Sequence, residues 1–285
     1  MSVVRILALA GAAAAMSTSA LAADFPPALP PAPVIQAPIV DSGWYLRGDI
    51  GFANQGLKRL SQRLDSTVIS LEPVGMGFDG APFFLLGVGY QWNNWLRFDV
   101  TSEFRSKSNF HGSDNVRFND GSGVAVLVDN YSASKSEFVV LANAYLDLGT
   151  WWCITPFVGA GVGGARNQID SFRDDGIGFF SNGAPITAVA FGDSNATWNF
   201  AWALHAGLSY NVSPAFKVEL AYRYLNLGDA LTGPTRAFDN SFVNGGAFTF
   251  NNLTSHDVMF GMRWLFDCAA CAPAPVYQPP LIRKG

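Results

Sequence analysis

Charge is what this 285-residue chain has least of: Asp, Glu, Lys and Arg together make up 14%, against about a quarter in soluble domains. So little charge implies that much of the surface does not face water. The 18 Lys and Arg are dispersed among 22 Asp and Glu, for a formal net charge of −4, so the clustered basic face that nucleic-acid binding requires is missing. Three histidines without close spacing give no metal-site signature, and no motif asks for a cofactor. Long apolar runs are also scarce. Past residue 22 none approaches the roughly 20 residues of a spanning helix, so a membrane-embedded form has to be a closed barrel, where every backbone polar group finds a partner in the wall.

What the chain does have is alternation. Residues 1–22 come first and read as a cleaved secretory signal, with Arg5, an apolar core and an Ala20-Leu21-Ala22 ending. Residues 23–42 follow as a proline-spaced leader that cannot sustain ladder hydrogen bonds. From there a period of two recurs. Trp44, Leu46, Ile50 and Phe52 oppose Tyr45, Arg47 and Asp49. Phe84 to Trp92 and Leu96 to Phe104 form a hairpin about Asn93-Asn94, with Arg97, Asp99, Glu103 and Arg105 on its polar face. Phe138 to Leu148 opposes Glu137, Asn143 and Asp147. Thr155 to Gly164 sets Val158, Ala160 and Val162 against Gly159, Gly161 and Gly163. Thr197 to Tyr210 carries His205 and Ser209 on its polar side, and Phe216 to Tyr224 carries Lys217, Glu219 and Arg223. His256 to Phe266 ends the series, with Asp257 and Arg263.

Eight strands result, joined alternately by long polar segments (about 54–80, 106–134, 165–196 and 226–254) and short turns. A short helix fits the first long segment, and Val124 to Val128 fits a strand extension in the second. The fold class expected is all-β: an antiparallel up-and-down transmembrane barrel over residues 43–266, with short periplasmic turns and long extracellular loops. A soluble eight-stranded lipocalin has the same strand count with the apolar parity turned inward. Against it stand the signal segment, the long-short asymmetry, and Trp44, Trp92, Trp95, Trp151, Trp152 and Trp264 at strand ends on the short-turn rim, where amphipathic rings mark a membrane interface.

Several blocks also resemble a family: Ala23-Asp24-Phe25-Pro26-Pro27, Gly43-Trp44-Tyr45-Leu46-Arg47-Gly48-Asp49-Ile50-Gly51, Leu141-Ala142-Asn143-Ala144-Tyr145 and Thr155-Pro156-Phe157-Val158-Gly159-Ala160-Gly161. These look like the small outer-membrane β-barrel proteins of brucellae and rhizobia, related in architecture to OmpA-type barrels and opacity-type porins. The resemblance implies an abundant envelope protein that contributes to outer-membrane integrity, sometimes described as porin-like, with no catalytic residues. It also implies that the terminal aromatic Phe266 is read by the barrel-insertion machinery, although a tail of residues 267–285 follows it here.

The inward parity then carries Arg47, Arg97, Arg105, Lys217, Arg223 and Arg263 against Asp49, Asp99, Glu103, Glu137, Asp147, Glu219 and Asp257. An eight-stranded interior is about filled by side chains, so these charges are expected to pair into a structural network rather than line an open pore. His205 and Ser209 are the weak candidates for catalysis, and nothing around them matches a hydrolase motif. Cys153 in a short turn and Cys268 and Cys271 in the tail meet an oxidising compartment, so a disulfide is expected, its pairing open; an intermolecular bridge would make a homo-oligomer. Expected partners are outer-membrane lipid and lipopolysaccharide, the insertion machinery, peptidoglycan through the Pro-rich tail, and host surfaces through the loops. The functional reading is a structural envelope barrel, with a narrow-pore porin and a surface adhesin as alternatives.

Overall fold

The computed structural model describes residues 42–63, 66–243 and 246–266. The signal segment, most of the leader and the tail with Cys268 and Cys271 lie outside the described residues. Twelve strands and no helix form among the described residues: β1 (Gly43–Gly56), β2 (Arg59–Ser61), β3 (Val68–Phe78), β4 (Ala81–Gln91), β5 (Leu96–Asn119), β6 (Val124–Asp147), β7 (Ile154–Phe179), β8 (Pro185–Gly192), β9 (Asn195–Asn211), β10 (Phe216–Leu231), β11 (Thr235–Ala237) and β12 (Thr249–Leu265). Eight of them close a ring in the order β1, β4, β5, β6, β7, β9, β10, β12, each antiparallel to the next. The seam closes from Tyr45↔Leu265 to Gly56↔Thr254.

The parity of each strand decides what it faces. On β1, Trp44, Leu46, Ile50 and Phe52 are exposed while Tyr45, Arg47 and Asp49 are buried; β4, β5, β10 and β12 repeat the arrangement with Phe84, Val100, Leu220 and Phe260 outside. An apolar girdle therefore surrounds a polar interior, the inverse of a lipocalin. Trp44, Trp92, Trp95, Trp151, Trp152 and Trp264 stand exposed at the short-turn rim. The Phe266 N–H donates to the Trp44 carbonyl (2.9 Å), which fastens the last described residue to the first strand.

The long connections differ from the sequence reading. Where residues 54–80 read as a loop with room for a helix, the chain forms β2 and β3, paired with β12 and β5. The segment 106–134 is mostly strand, because β5 and β6 each run 24 residues and turn only at residues 120–123. At about 3.3 Å per residue and a tilt near 40° such strands rise roughly 60 Å, about twice a hydrocarbon core. Likewise β7 runs on to Phe179 and pairs there with β8, which in turn pairs with β11. Val124 to Val128 forms the strand extension expected of it, but the rest of these extensions escapes a search for apolar alternation because outward residues above the girdle are polar, as Asn130, Ser132, Ser134 and Ser136 are on β6. The tips are tied by Asp120, whose carboxylate accepts from the Ser181 hydroxyl and from the Ser181, Ser122 and Gly123 N–H groups; the Ser181 hydroxyl, then the Ser181 and Ser122 N–H groups, hold it well below the usual carboxylate range.

Candidate functional site

Within the girdle the interior is a lattice of charges. All thirteen inward charged residues expected from the sequence are at most 7% exposed. Nearer the short-turn rim Glu219 is the hub: Arg263, Arg97 and Arg47 lie 3.1, 3.4 and 3.7 Å from it. Arg47 also meets Asp49 and Asp99 (2.7 and 3.1 Å), and Arg97 meets Asp147 at 3.2 Å. Lys217 is buried on the same face. A second knot has Asp257 between Arg223 (2.7 Å) and Arg105 (2.5 Å), both of which also pair with Glu103 (2.7 and 2.9 Å). Arg105 reaches towards Glu137 at 3.7 Å, and Glu137 pairs with Lys135.

Aromatic rings and amides fill what the charges leave. The Arg97 guanidinium sits 4.2 Å from the centre of the Tyr145 ring and 4.6 Å from that of Phe157, a cation over two π faces. Arg105 and Arg223 both face the Phe83 ring. The Tyr45 hydroxyl and the Asn143 amide donate to Asp99 (3.1 and 2.8 Å), Arg263 donates to Gln91 (2.6 Å), and Gln55 donates to Glu137 (2.9 Å). Such volume fits because glycines stand opposite: a Cβ on Gly87 would lie 3.0 Å from Arg47 Cγ, and one on Gly89 would strike the Tyr45 ring. Lys135 and Gln55 were not anticipated, since both fall in or beside segments that read as loop or strand end. The spacing of Lys135 two residues before Glu137 was the available signal.

The candidate catalytic pair does not assemble. His205 and Ser209 are buried in the same wall, and His205 rests edge-on against Tyr145. However, the His205 Nε2 and the Ser209 hydroxyl have no hydrogen-bond partner, so the contact between nucleophile and base that such chemistry requires is unformed.

Towards the long-loop end the filling changes from charge to hydrocarbon. Phe78, Phe110, Tyr131, Phe172, Phe248 and Phe250 stack with ring centres 4.6 to 6.4 Å apart, in one cluster with Leu60, Ile169, Leu225, Leu227 and Leu253. Of the aromatics in the long connections, Phe248 and Phe250 belong to this plug, whereas Phe179, Phe180, Phe238 and Phe242 are exposed. Beside the plug three carboxylates face one another on the inner wall: Asp114 lies opposite Asp129, and Asp174 opposite Tyr131. Burial is the largest cause that raises Asp114 and Asp129 to about 6, and mutual repulsion adds to it at Asp129. Asp174 rises to about 8 from burial and from the charges of Asp129, Asp114 and Asp175.

On the outer face of the same projecting wall, Val124, Val126, Val128, Ile177 and Phe179 form a second exposed apolar band, separated from the girdle by the polar residues of β6. Cys153 is exposed in the short turn between β6 and β7, in a left-handed conformation (φ 67°) beside Trp152 (φ 50°).

Comparison with known proteins agrees with this architecture. The family model described as outer membrane protein beta-barrel domain matches residues 6–264. A Brucella abortus protein of uncharacterised function is 27% identical over 264 residues, 82% of this chain and 90% of its own. A Rickettsia prowazekii protein provisionally named an adhesin is 26% identical over 235 residues, covering 80% and 90% of the two chains. Among solved structures, Neisserial surface protein A aligns over 79% of this chain and 99% of its own (TM-score 0.38, 16% identity). OprG of Pseudomonas aeruginosa aligns over 80% and 98% (TM-score 0.41, 12% identity).

Proposed function

The chain belongs to the outer membrane protein β-barrel family, and within that family we propose that it is a closed, non-catalytic barrel whose work is to brace the outer membrane. The observation that carries this reading is the filled lumen, a lattice of buried ion pairs under a plug of stacked aromatic rings. A lumen filled with paired charges and stacked rings is a poor route for ions, which favours the structural role over a narrow-pore porin. In this reading the short-turn rim, with its tryptophans, faces the periplasm and the projecting strands face outward; the girdle is solvated by lipid and lipopolysaccharide; Phe266 engages the insertion machinery; and residues 267–285 extend towards peptidoglycan.

Deleting the gene is expected to sensitise cells to detergents and bulky antibiotics. Complementation by a chain shortened in the projecting hairpins but intact from girdle to rim is expected to restore resistance. Resistance unaffected by the deletion would overturn the bracing role. A second reading, surface adhesion, draws on the outer apolar band at Val124, Val126, Val128, Ile177 and Phe179 and on the name of the Rickettsia relative. Binding of intact cells to host matrix, lost when those five residues are replaced by serine, would support it.

A further inference from the structure

Inside the girdle each buried carboxylate has an Arg or Lys beside it. At the long-loop end that pairing stops. Asp114, Asp129 and Asp174 face one another on the inner wall, and among the described residues no Lys or Arg forms an ion pair with any of them. Asp114 is 2% exposed. Its Oδ2 accepts from the Tyr131 hydroxyl at 3.1 Å, while its Oδ1 has no hydrogen-bond partner. Asp114 and Asp129, raised only to about 6, are mostly ionised at neutral pH. Buried charge without a counter-charge is strongly disfavoured, so the inner wall here lacks both a cation and a donor.

Asp114 lines a cavity of about 350 Å³ that opens to solvent. The walls are largely apolar. Leu60, Tyr131 and Phe248 belong to the cluster that forms the plug, and Leu71 is added from β3. The Tyr131 and Phe248 rings meet at an angle of 60° with centres 5.5 Å apart. The remaining polar lining comes from one short segment, Arg59, Ser61 and Gln62; the Ser61 hydroxyl already accepts from Asn251 at 2.6 Å, and Arg59 is exposed. Because the cavity ends on the plug, whatever enters leaves by the same opening. An apolar cavity of roughly 150 Å³ is enough for benzene, so this one admits a ring with a short side arm. An unpartnered carboxylate oxygen accepts only from a donor, the uncompensated charge selects a positive one, and aromatic walls favour a cation joined to hydrocarbon. The Arg59 charge disfavours a second positive group. A divalent metal ion would need several oxygen ligands around one point, and among the described residues no three acidic, His or Cys side chains are so placed.

We infer that this cavity is a binding site for a small primary amine with an apolar body, its ammonium group held by Asp114 and its hydrocarbon lodged among Leu60, Leu71, Tyr131 and Phe248. Rotation about the aspartate Cβ–Cγ bond is soft, so either carboxylate oxygen can turn to the ligand while the other keeps the Tyr131 hydroxyl. Asp129 and Asp174 add attraction from further along the wall. The amine is bound and not passed on, and the site works whichever side of the membrane this end of the barrel faces.

Calorimetric titration of the refolded full chain in a zwitterionic detergent tests this. The probe is 2-phenylethylamine, with 2-phenylethanol and 3-phenylpropanoate as its neutral and anionic counterparts. The amine is expected to saturate one site per chain at pH 7.5 and to bind at least tenfold more tightly than either counterpart. Asp114→Asn retains an acceptor for the Tyr131 hydroxyl and is expected to weaken the amine at least tenfold while leaving the alcohol unchanged. Absence of saturable amine binding, equal affinity for amine and alcohol, or an undiminished affinity in Asp114→Asn would each overturn the proposal. Should Asp114→Asn fail to refold, Leu71→Trp fills the cavity from β3 and leaves all three carboxylates in place. That variant is expected to lose amine binding, and retained binding is the contrary result.

Discussion

Two regions of one lumen are filled in opposite ways. Inside the girdle the inward positions are Arg47, Arg97, Glu219, Arg223 and Asp257, cross-braced at 2.7 to 3.7 Å. Towards the long-loop end they are Phe78, Phe110, Phe172 and Phe250, and the carboxylates there face one another. The difference follows from what lies outside the wall. Where lipid covers the strands, apolar contact gains little over apolar solvent, so buried pairing in a low dielectric holds the strands in register. Where water surrounds the wall, apolar burial is again the stronger force, and the interior resembles a soluble core.

Breaking the lattice should have the largest effect. Glu219→Ala strips a shared partner from Arg97, Arg263 and Arg47, and removal of one member of a buried ion pair costs about 3–5 kcal/mol. It is expected to lower sharply the temperature at which the folded, fast-migrating band disappears on gels. Arg97→Ala and Arg223→Ala should act in the same direction. An unchanged transition would mean that the charges do not brace the girdle.

Phe250→Ala should come next, at about 3 kcal/mol for a truncated core ring, but confined to the projecting end. Proteolysis of the β5–β6 hairpin is expected to accelerate while the gel transition moves less than for Glu219→Ala. If both variants shift that transition equally, the two regions form one cooperative unit and the contrast drawn here fails.

A smaller effect separates the regions by pH. Asp114, Asp129 and Asp174 have folded values raised from the ordinary carboxylate value of 3.8 to about 6, 6 and 8. The folded state thus holds protons the unfolded state has lost. Their contribution is most favourable below about pH 4 and declines as pH rises through 6 to 8. Amide exchange in the projecting parts of β5, β6 and β7 is expected to quicken between pH 5 and 8.5 beyond the intrinsic rate, and Asp174→Asn should remove most of that dependence. The exposed Arg173–Asp175 pair, 2.8 Å apart at the same end, provides the other limit. Arg173→Ala should leave stability unchanged, since a screened surface pair contributes little.

How legible this was in the sequence varies along the same axis. Inside the girdle lipid enforces a strict alternation, so parity marked the eight ring strands and put thirteen charged residues on one shared face, while the rim tryptophans, the signal segment and the long-short asymmetry were needed to turn that face inward. Beyond it, Asn130, Ser132, Ser134 and Ser136 alternate with apolar and polar inward neighbours alike, and the period that marks a strand disappears from hydropathy. The plug was not visible as a unit, because Phe78, Phe110, Tyr131, Phe172, Phe248 and Phe250 come from β3, β5, β6, β7 and the start of β12 and meet only once those strands are folded together. The amides of Asn167, Asn195 and Asn199 that reach β10 beyond the end of its ladder with β9 were not visible, because only the folded wall brings β7, β9 and β10 together there.

The closed lumen is tested most directly by electrical recording from the refolded full chain in planar bilayers. A silent membrane, with insertion verified by the heat-modifiable band, is the expected result. Stable, stepwise openings carried by ions would contradict it.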